Sequence, residues 1–326
     1  YNNAVQNLLF GSDSALIKDG RVVTAECLGG TGALRVGADF IKRLNLNAPC
    51  AISNPTWENH RGIFEAAGYE VLEYTYFDPK TRGVDFDGMV KSLESFPPKT
   101  FVVLHACCHN PTGADLTKEQ WQKIISICQT KQLIPFLDLA YQGFAEGIEA
   151  DGTAVRMFAQ SGLSFFVSSS FSKSFSLYGE RVGALSIVTQ SKEESTRVMS
   201  QLKKVIRTNY SNPPTHGAAI VAMVLNSPKL RQMWEAELAQ MRDRIKAMRQ
   251  GLKQKLAAAG VQQDFSFIEA QRGMFSYSGL TADQVSKLQE QDGIYALSTG
   301  RICVAALNTK NIDRVAQAIA RVVMSK

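Results

Sequence analysis

The stretch SFFVSSSFSKSFSLYGERVG spans residues 164–183. Phe165, Phe166 and Val167 form an apolar run, and three serines, Ser168 to Ser170, follow it. A strand covered on both faces has this pattern, because neither face must present polar side chains to water. Lys173 stands alone among serines and aromatics just past that strand, and Arg181 follows farther along. Lys173 is either a solvated loop lysine or an amine that does chemistry, and the neighbouring segments bear on the choice.

Two segments upstream repeat the buried-strand pattern. FVVLH (101–105) and LIPFLD (133–138) are apolar runs, and LTKEQWQKIISICQTKQ (116–132) lies between them with helical periodicity. Thr117 and Gln120 have the spacing of a capping box at its start. Continuous apolar strands alternating with helices predict an α/β fold built on a mostly parallel sheet with helices on both faces. In such sheets ligands bind beyond the carboxyl ends of the strands. Those ends carry HACCHNPTG (105–113), DLAYQGF (138–144) and SSSFSK (168–173), so one crevice is predicted to collect all three.

CLGGTGALRVGADFIKRL (27–44) adds a fourth component. Gly29, Gly30, Thr31 and Gly32 open a helical pattern, and free N–H groups at a helix start favour an anion such as phosphate. A glycine turn that merely lets a helix pack closely on a strand is the plainer reading. The segment is not a G-x-x-x-x-G-K-[ST] loop, and it lacks the G-x-G-x-x-G spacing of a dinucleotide site.

The last third changes character. SPKLRQMWEAELAQMRDRIKAMRQGLKQKL (227–256) reads as one long amphipathic helix, with Ser227 as N-cap and Pro228 in the first turn. GMFSYSGL (273–280), a helix beginning near Thr281, the strand-like RICVAAL (301–307) and a final helix over 311–324 follow. These predict a smaller α+β domain, with the boundary inside the long helix: a large domain over 1–240 and a small one over 241–326.

Composition narrows the class. The 326 residues are 45% hydrophobic and 20% charged, which is ordinary for a globular protein. The net charge of +6 is spread along the chain without a basic block, which argues against nucleic acid and suits small anionic ligands. No uninterrupted apolar run reaches about 18 residues, which argues against a membrane-spanning helix. None of the six cysteines forms a C-x-x-C pair, and they read as reduced packing residues of a cytoplasmic protein. The four histidines lack zinc spacing, so no metal is expected.

A lysine at one strand end, a carboxylate at another and an anion-binding helix start together meet the needs of pyridoxal phosphate. That cofactor takes a lysine for a Schiff base, an acid for its pyridinium nitrogen and donors for its phosphate. GGTGALRVGADF, NPTWENH, HACCHNPTGADLT, FLDLAYQGF, SSSFSKSFSLYGERVG, RTNYSNPP, QRGMFSYSGL and TGRICVAALN occur in this order along nearly the whole chain. In this the sequence resembles the class I pyridoxal-phosphate aminotransferases, in their aspartate and aromatic-amino-acid branch. NPTWENH, SLYGERVG and GRICVAALN are most similar to the bacterial tyrosine (aromatic) aminotransferases.

The resemblance implies the fold type I architecture of these enzymes, with a seven-stranded sheet in the large domain. It also implies roles position by position. Lys173 matches the Schiff-base lysine and Asp138 the partner of the pyridinium nitrogen. Tyr141 and Asn110 match donors to the ring's phenolic oxygen, and Trp57 the aromatic stacked on the ring. Gly30, Thr31, Ser170 and Arg181 match phosphate ligands. His60 and His105 match groups behind the buried aspartate. Arg301 matches the clamp for the substrate α-carboxylate, and Phe275 an aromatic beside the substrate. Arg207 matches an arginine that reaches into a neighbouring subunit's site for a second carboxylate, which implies a homodimer with shared sites.

The implied activity is ping-pong transfer of an amino group from tyrosine, phenylalanine or aspartate to 2-oxoglutarate. An aspartate-preferring enzyme, a lyase on the same fold and an inactive truncated chain are the alternatives. The family carries a further N-terminal segment, including part of the small domain, that precedes the point where this chain begins.

Overall fold

The computed structural model describes residues 1–44 and 48–325. Its centre is a seven-stranded sheet in the spatial order Val22–Leu28, Val182–Val188, Phe165–Ser170, Ile134–Leu139, Phe101–His105, Cys50–Asn54 and Val71–Thr75. The five strands from Phe165–Ser170 to Val71–Thr75 pair in parallel. Val182–Val188 runs antiparallel to both of its neighbours. The fold is therefore α/β with a mostly parallel seven-stranded sheet flanked by helices.

Two apolar layers cover the sheet, and the period-two alternation of strand side chains divides the residues between them. Val102, Leu104, Leu137, Leu139, Phe165 and Val167 face one layer. Phe101, Val103, Phe136 and Phe166 face the other, where they meet Ala33, Leu34, Val36, Phe40 and Ile41 of the helix Gly29–Arg43. Every residue of Phe101–His105 and Phe165–Ser170 is buried, as strands sandwiched between helical layers require.

Local chemistry sets the helix ends. Thr117 and Gln120 form a reciprocal capping box before Lys118–Lys131, and Thr281 and Gln284 form a second before Ala282–Asp292. Ser227 accepts from the N–H of Leu230 at the start of Pro228–Ala258, which runs for 31 residues. A separate two-stranded sheet pairs Phe275–Tyr277 with Arg301–Cys303.

RICVAAL departs from its strand-like pattern. The strand ends at Cys303, and Val304–Ala306 form a 3-10 turn. Val304 is fully buried, and the turn lets it reach the core while the N–H of Ala305 still donates to the carbonyl of Met274. A continuing strand would alternate sides, whereas the core here lies on one side only.

Candidate active site

Sheet register aligns the first part of the site. His105 pairs with Asp138 and Asp138 with Ser168, so the three lie in one row across adjacent parallel strands near their carboxyl ends. Beyond that row a cleft opens, and the three strand-end segments converge on it.

Asp138 lies against the cleft with its carboxyl buried. His60 Nε2 donates to Asp138 Oδ2 at 2.9 Å, and His60 Nδ1 lies 2.8 Å from Thr56 Oγ1. Burial works to raise the Asp138 pKa. The His60 hydrogen bond, with the nearby Lys173 adding to it, outweighs burial and holds the carboxyl below the usual carboxylate range. The group therefore stays an anion and faces the cleft as an acceptor. His105 packs against His60 with ring centroids 4.9 Å apart, and both of its ring nitrogens are buried without a partner among the described residues. Burial, with His60 beside it, pushes the His105 pKa down to about 3, so this ring is neutral at physiological pH.

Lys173 lies in the turn after Phe165–Ser170, with its Nζ 4.6 Å from the centroid of the Tyr141 ring. Burial lowers its pKa and nearby Arg181 adds to the effect, while Asp138 opposes it. The long helix braces the turn from behind. Trp234 Nε1 donates to the Ser174 carbonyl at 2.6 Å, and Phe175 stacks on the Trp234 ring at 4.4 Å. Burial pushes the Tyr141 hydroxyl above its ordinary pKa, which keeps its proton available for donation.

Gly30, Thr31, Ser170 and Arg181 line the same cleft. Gly29 has φ +69°, and a Cβ there would come within 2.5 Å of the Arg181 guanidinium. Glycine thus keeps that guanidinium beside the helix start. Arg181 itself is left-handed, at φ 54°, which costs about 1–3 kcal/mol for such backbone strain. Its carbonyl accepts from the Gly29 N–H at 3.0 Å, and its Nη1 donates to Ser172 Oγ and to the Tyr178 carbonyl. The strained residue is held on three sides, with its charge at the start of Gly29–Arg43.

Trp57 and Asn110 also line the cleft. Trp57 meets His60 edge-on at 5.3 Å. Arg301 lies at the rim, where its Nη1 donates to Asn110 Oδ1 at 3.0 Å and its guanidinium sits 4.6 Å from the Phe275 ring centroid. Phe275 in turn meets Tyr141 edge-on at 6.2 Å. Arg207 lies elsewhere: it is exposed in the last turn of Lys192–Asn209 and donates to Ser211 Oγ. The sequence reading did not single out Ser172 and Tyr178 as cleft residues, although both stand in the stretch around Lys173. Nor did it single out Thr56 and Trp234, which brace His60 and the lysine turn; Thr56 lies within the NPTWENH motif.

The donor set suits pyridoxal phosphate: cationic and hydroxyl donors at a helix start, an ionised carboxylate and a lysine of lowered pKa all line one cleft. The family model described as aminotransferase class I and II matches residues 1–319. The chain is 62% identical to an aspartate aminotransferase of Pseudomonas aeruginosa, over 99% of this chain and 81% of that protein. It is 51% identical to an aromatic-amino-acid aminotransferase of Escherichia coli, with the same coverage. Among solved structures, an aromatic-amino-acid aminotransferase of Burkholderia pseudomallei, covalently bound to pyridoxal phosphate, superposes with a TM-score of 0.98. It shares 66% identity, over 99% of this chain and 81% of its own.

Proposed function

Because the chain belongs to the class I and II aminotransferases, we propose that it transfers the amino group of an aromatic amino acid or of aspartate to 2-oxoglutarate with pyridoxal phosphate. The observation that carries this reading is Lys173, the anionic Asp138 and the Arg181 guanidinium facing one cleft. Both donor classes are kept because the relatives named above include an aspartate and an aromatic-amino-acid aminotransferase.

Bound in the cleft, pyridoxal phosphate supplies a carbonyl that joins an amine and a ring that withdraws electrons from the substrate α-carbon. Lys173 Nζ would hold the cofactor covalently. A lysine with the ordinary pKa of about 10.4 is a poor base at neutral pH, and burial brings Lys173 closer to working pH. Released when the substrate amine takes its place on the cofactor, the same nitrogen would take the proton from the α-carbon and return it on the cofactor side. Asp138 Oδ would accept from the ring nitrogen's N–H. Tyr141 and Asn110 would donate to the ring's phenolic oxygen, and Trp57 would cover its face. Gly30, Thr31, Ser170 and Arg181 would bind the phosphate. Arg301 would grip the α-carboxylate with its planar fork beside Phe275. His60 and His105 act through Asp138, not on the substrate.

Arg207 stands apart from this chain's own cleft, which supports a homodimer in which it serves the partner's site. Residues 241–326 form the smaller domain of this reading, supported by the two-stranded sheet that is separate from the large one. We place the protein in the cytoplasm, a reading supported by six free cysteines, five of them buried.

The test is a turnover assay of the full-length protein with 2-oxoglutarate and either tyrosine or aspartate, alongside Lys173→Ala. Glutamate should form with at least one donor, and Lys173→Ala should abolish multiple turnover. Near-native turnover by that variant would remove Lys173 from the chemistry.

A further inference from the structure

We infer that Arg249 is a positioning residue for the carboxylate-binding rim: from inside the long helix it holds the segment that fixes Arg301, Phe275 and the Asn110 loop. This rests on the reading of Arg301 as the α-carboxylate clamp.

Arg249 is 2% exposed, yet it forms no salt bridge among the described residues. A buried guanidinium is costly unless its donors are satisfied. Here they go mainly to main-chain carbonyls. Nη1 donates to Ile268 O at 2.9 Å and to Ser276 Oγ at 3.3 Å. Nη2 donates to Gly273 O at 2.7 Å and to Phe275 O at 2.6 Å. The segment they belong to has little regular structure, with one turn of helix at Phe267–Ala270 and a three-residue strand at Phe275–Tyr277. Its buried carbonyls need donors that no ladder supplies. A position needed only to fill space would take a hydrocarbon side chain. The fork of Arg249 instead joins three carbonyls that lie up to seven residues apart.

That segment touches both halves of the rim. Phe275–Tyr277 pairs with Arg301–Cys303, with Tyr277 opposite Arg301 and Phe275 opposite Cys303. On its other side sits the Asn110 loop. The N–H of Arg272 donates to Gly113 O at 2.6 Å, and a Cβ on Gly113 would lie 2.9 Å from Phe275 O. Phe275 O therefore accepts from Arg249 and abuts the Asn110 loop at once. Asn110 and Arg301 then meet across the rim at 3.0 Å. Movement of the segment would displace Phe275, Arg301 and Asn110 together, and displacements near 1 Å at a reacting site can cost about 100-fold.

The experiment is a double-mutant cycle on the full-length holoenzyme, with Arg249→Met and Arg301→Lys. The dissociation constants of two unreactive carboxylates, 3-phenylpropionate and succinate, are read from the cofactor's absorption. Arg301→Lys alone should weaken at least one of them. Arg249→Met should weaken the same ligand about tenfold, and should have under about twofold further effect once Arg301 is lysine, a coupling of at least about 1 kcal/mol. Cofactor affinity should change little in Arg249→Met. If Arg249→Met does not fold, Arg249→Lys carries the same cycle with a smaller expected loss, about threefold. No change of affinity from Arg301→Lys would overturn the clamp reading itself. If Arg301→Lys weakens binding but the Arg249 variant does not, or weakens it equally in both backgrounds, the positioning role of Arg249 is wrong and the clamp stands.

Discussion

Asp138→Asn isolates the charge at the ring-nitrogen end of the cleft. The substitution keeps size and shape, and an asparagine Oδ1 can still accept from His60 Nε2, now 2.9 Å from the carboxylate. What is lost is the anion facing the cleft. With the cofactor bound, that anion would face an N–H at hydrogen-bond distance. Two unit charges about 3 Å apart interact by about 5 kcal/mol at an effective dielectric of 20. A lower bound is the difference between a charge-assisted and a neutral hydrogen bond, about 1–2 kcal/mol. Asp138 is 4% exposed, which favours the upper part of that range. The amino-transfer half-reaction should therefore slow by about 100- to 10,000-fold. Stability should fall by no more than about 2 kcal/mol, because only the charge-assisted part of the His60 bond is lost. Single-turnover mixing of the holoenzyme with an amino donor measures the rate, and urea unfolding measures the stability. A slowing under about fivefold, in a variant that still binds the cofactor, would refute the role assigned to the charge.

Three further outcomes follow from packing and protonation. Phe136→Ala empties a fully buried position between the sheet and Gly29–Arg43, and should cost about 3–5 kcal/mol in chemical unfolding. Trp57→Leu should weaken cofactor binding by about 1 kcal/mol, the typical worth of an aromatic stacking contact, as read by equilibrium dialysis. His105 is pushed down to about 3, below its unfolded value near 6.5. Its neutral form is favoured by folding, so its contribution is complete above about pH 6.5 and is lost as pH falls toward 3. Between pH 6 and 4 the parent protein should lose about 1.4 kcal/mol per pH unit more than His105→Gln. Parallel unfolding free energies for the two proteins across that window would contradict it.

Much of this architecture is legible in the residues. FVVLH and SFFVSSS announce buried strands because both faces of the sheet are covered. Thr117 and Ser227 mark helix starts because their side chains satisfy N–H groups that the helix leaves unpaired. The convergence of Asp138, Lys173 and the Gly30 turn follows from parallel strands ending on one side. Other features depend on tertiary contacts between distant residues. Trp234 looks like one more apolar position on an amphipathic stripe, and only the packed chain brings its N–H to Ser174. Arg249 reads as an ordinary polar residue of the same helix, because no local pattern announces four acceptors from a later segment. RICVAAL keeps a strand's composition, yet the core pulls Val304 into a turn.

The central claim is that Lys173 forms the cofactor linkage and that the linked cofactor exchanges its nitrogen with an amino acid. The most direct measurement is the visible absorption of the full-length protein with pyridoxal phosphate, first alone and then titrated with tyrosine and with aspartate. A visible band should appear with the cofactor and be absent from Lys173→Ala. It should give way to the absorption of the aminated cofactor with at least one donor, and return when 2-oxoglutarate is added. A band indifferent to both amino acids, or an identical band in Lys173→Ala, would contradict the account.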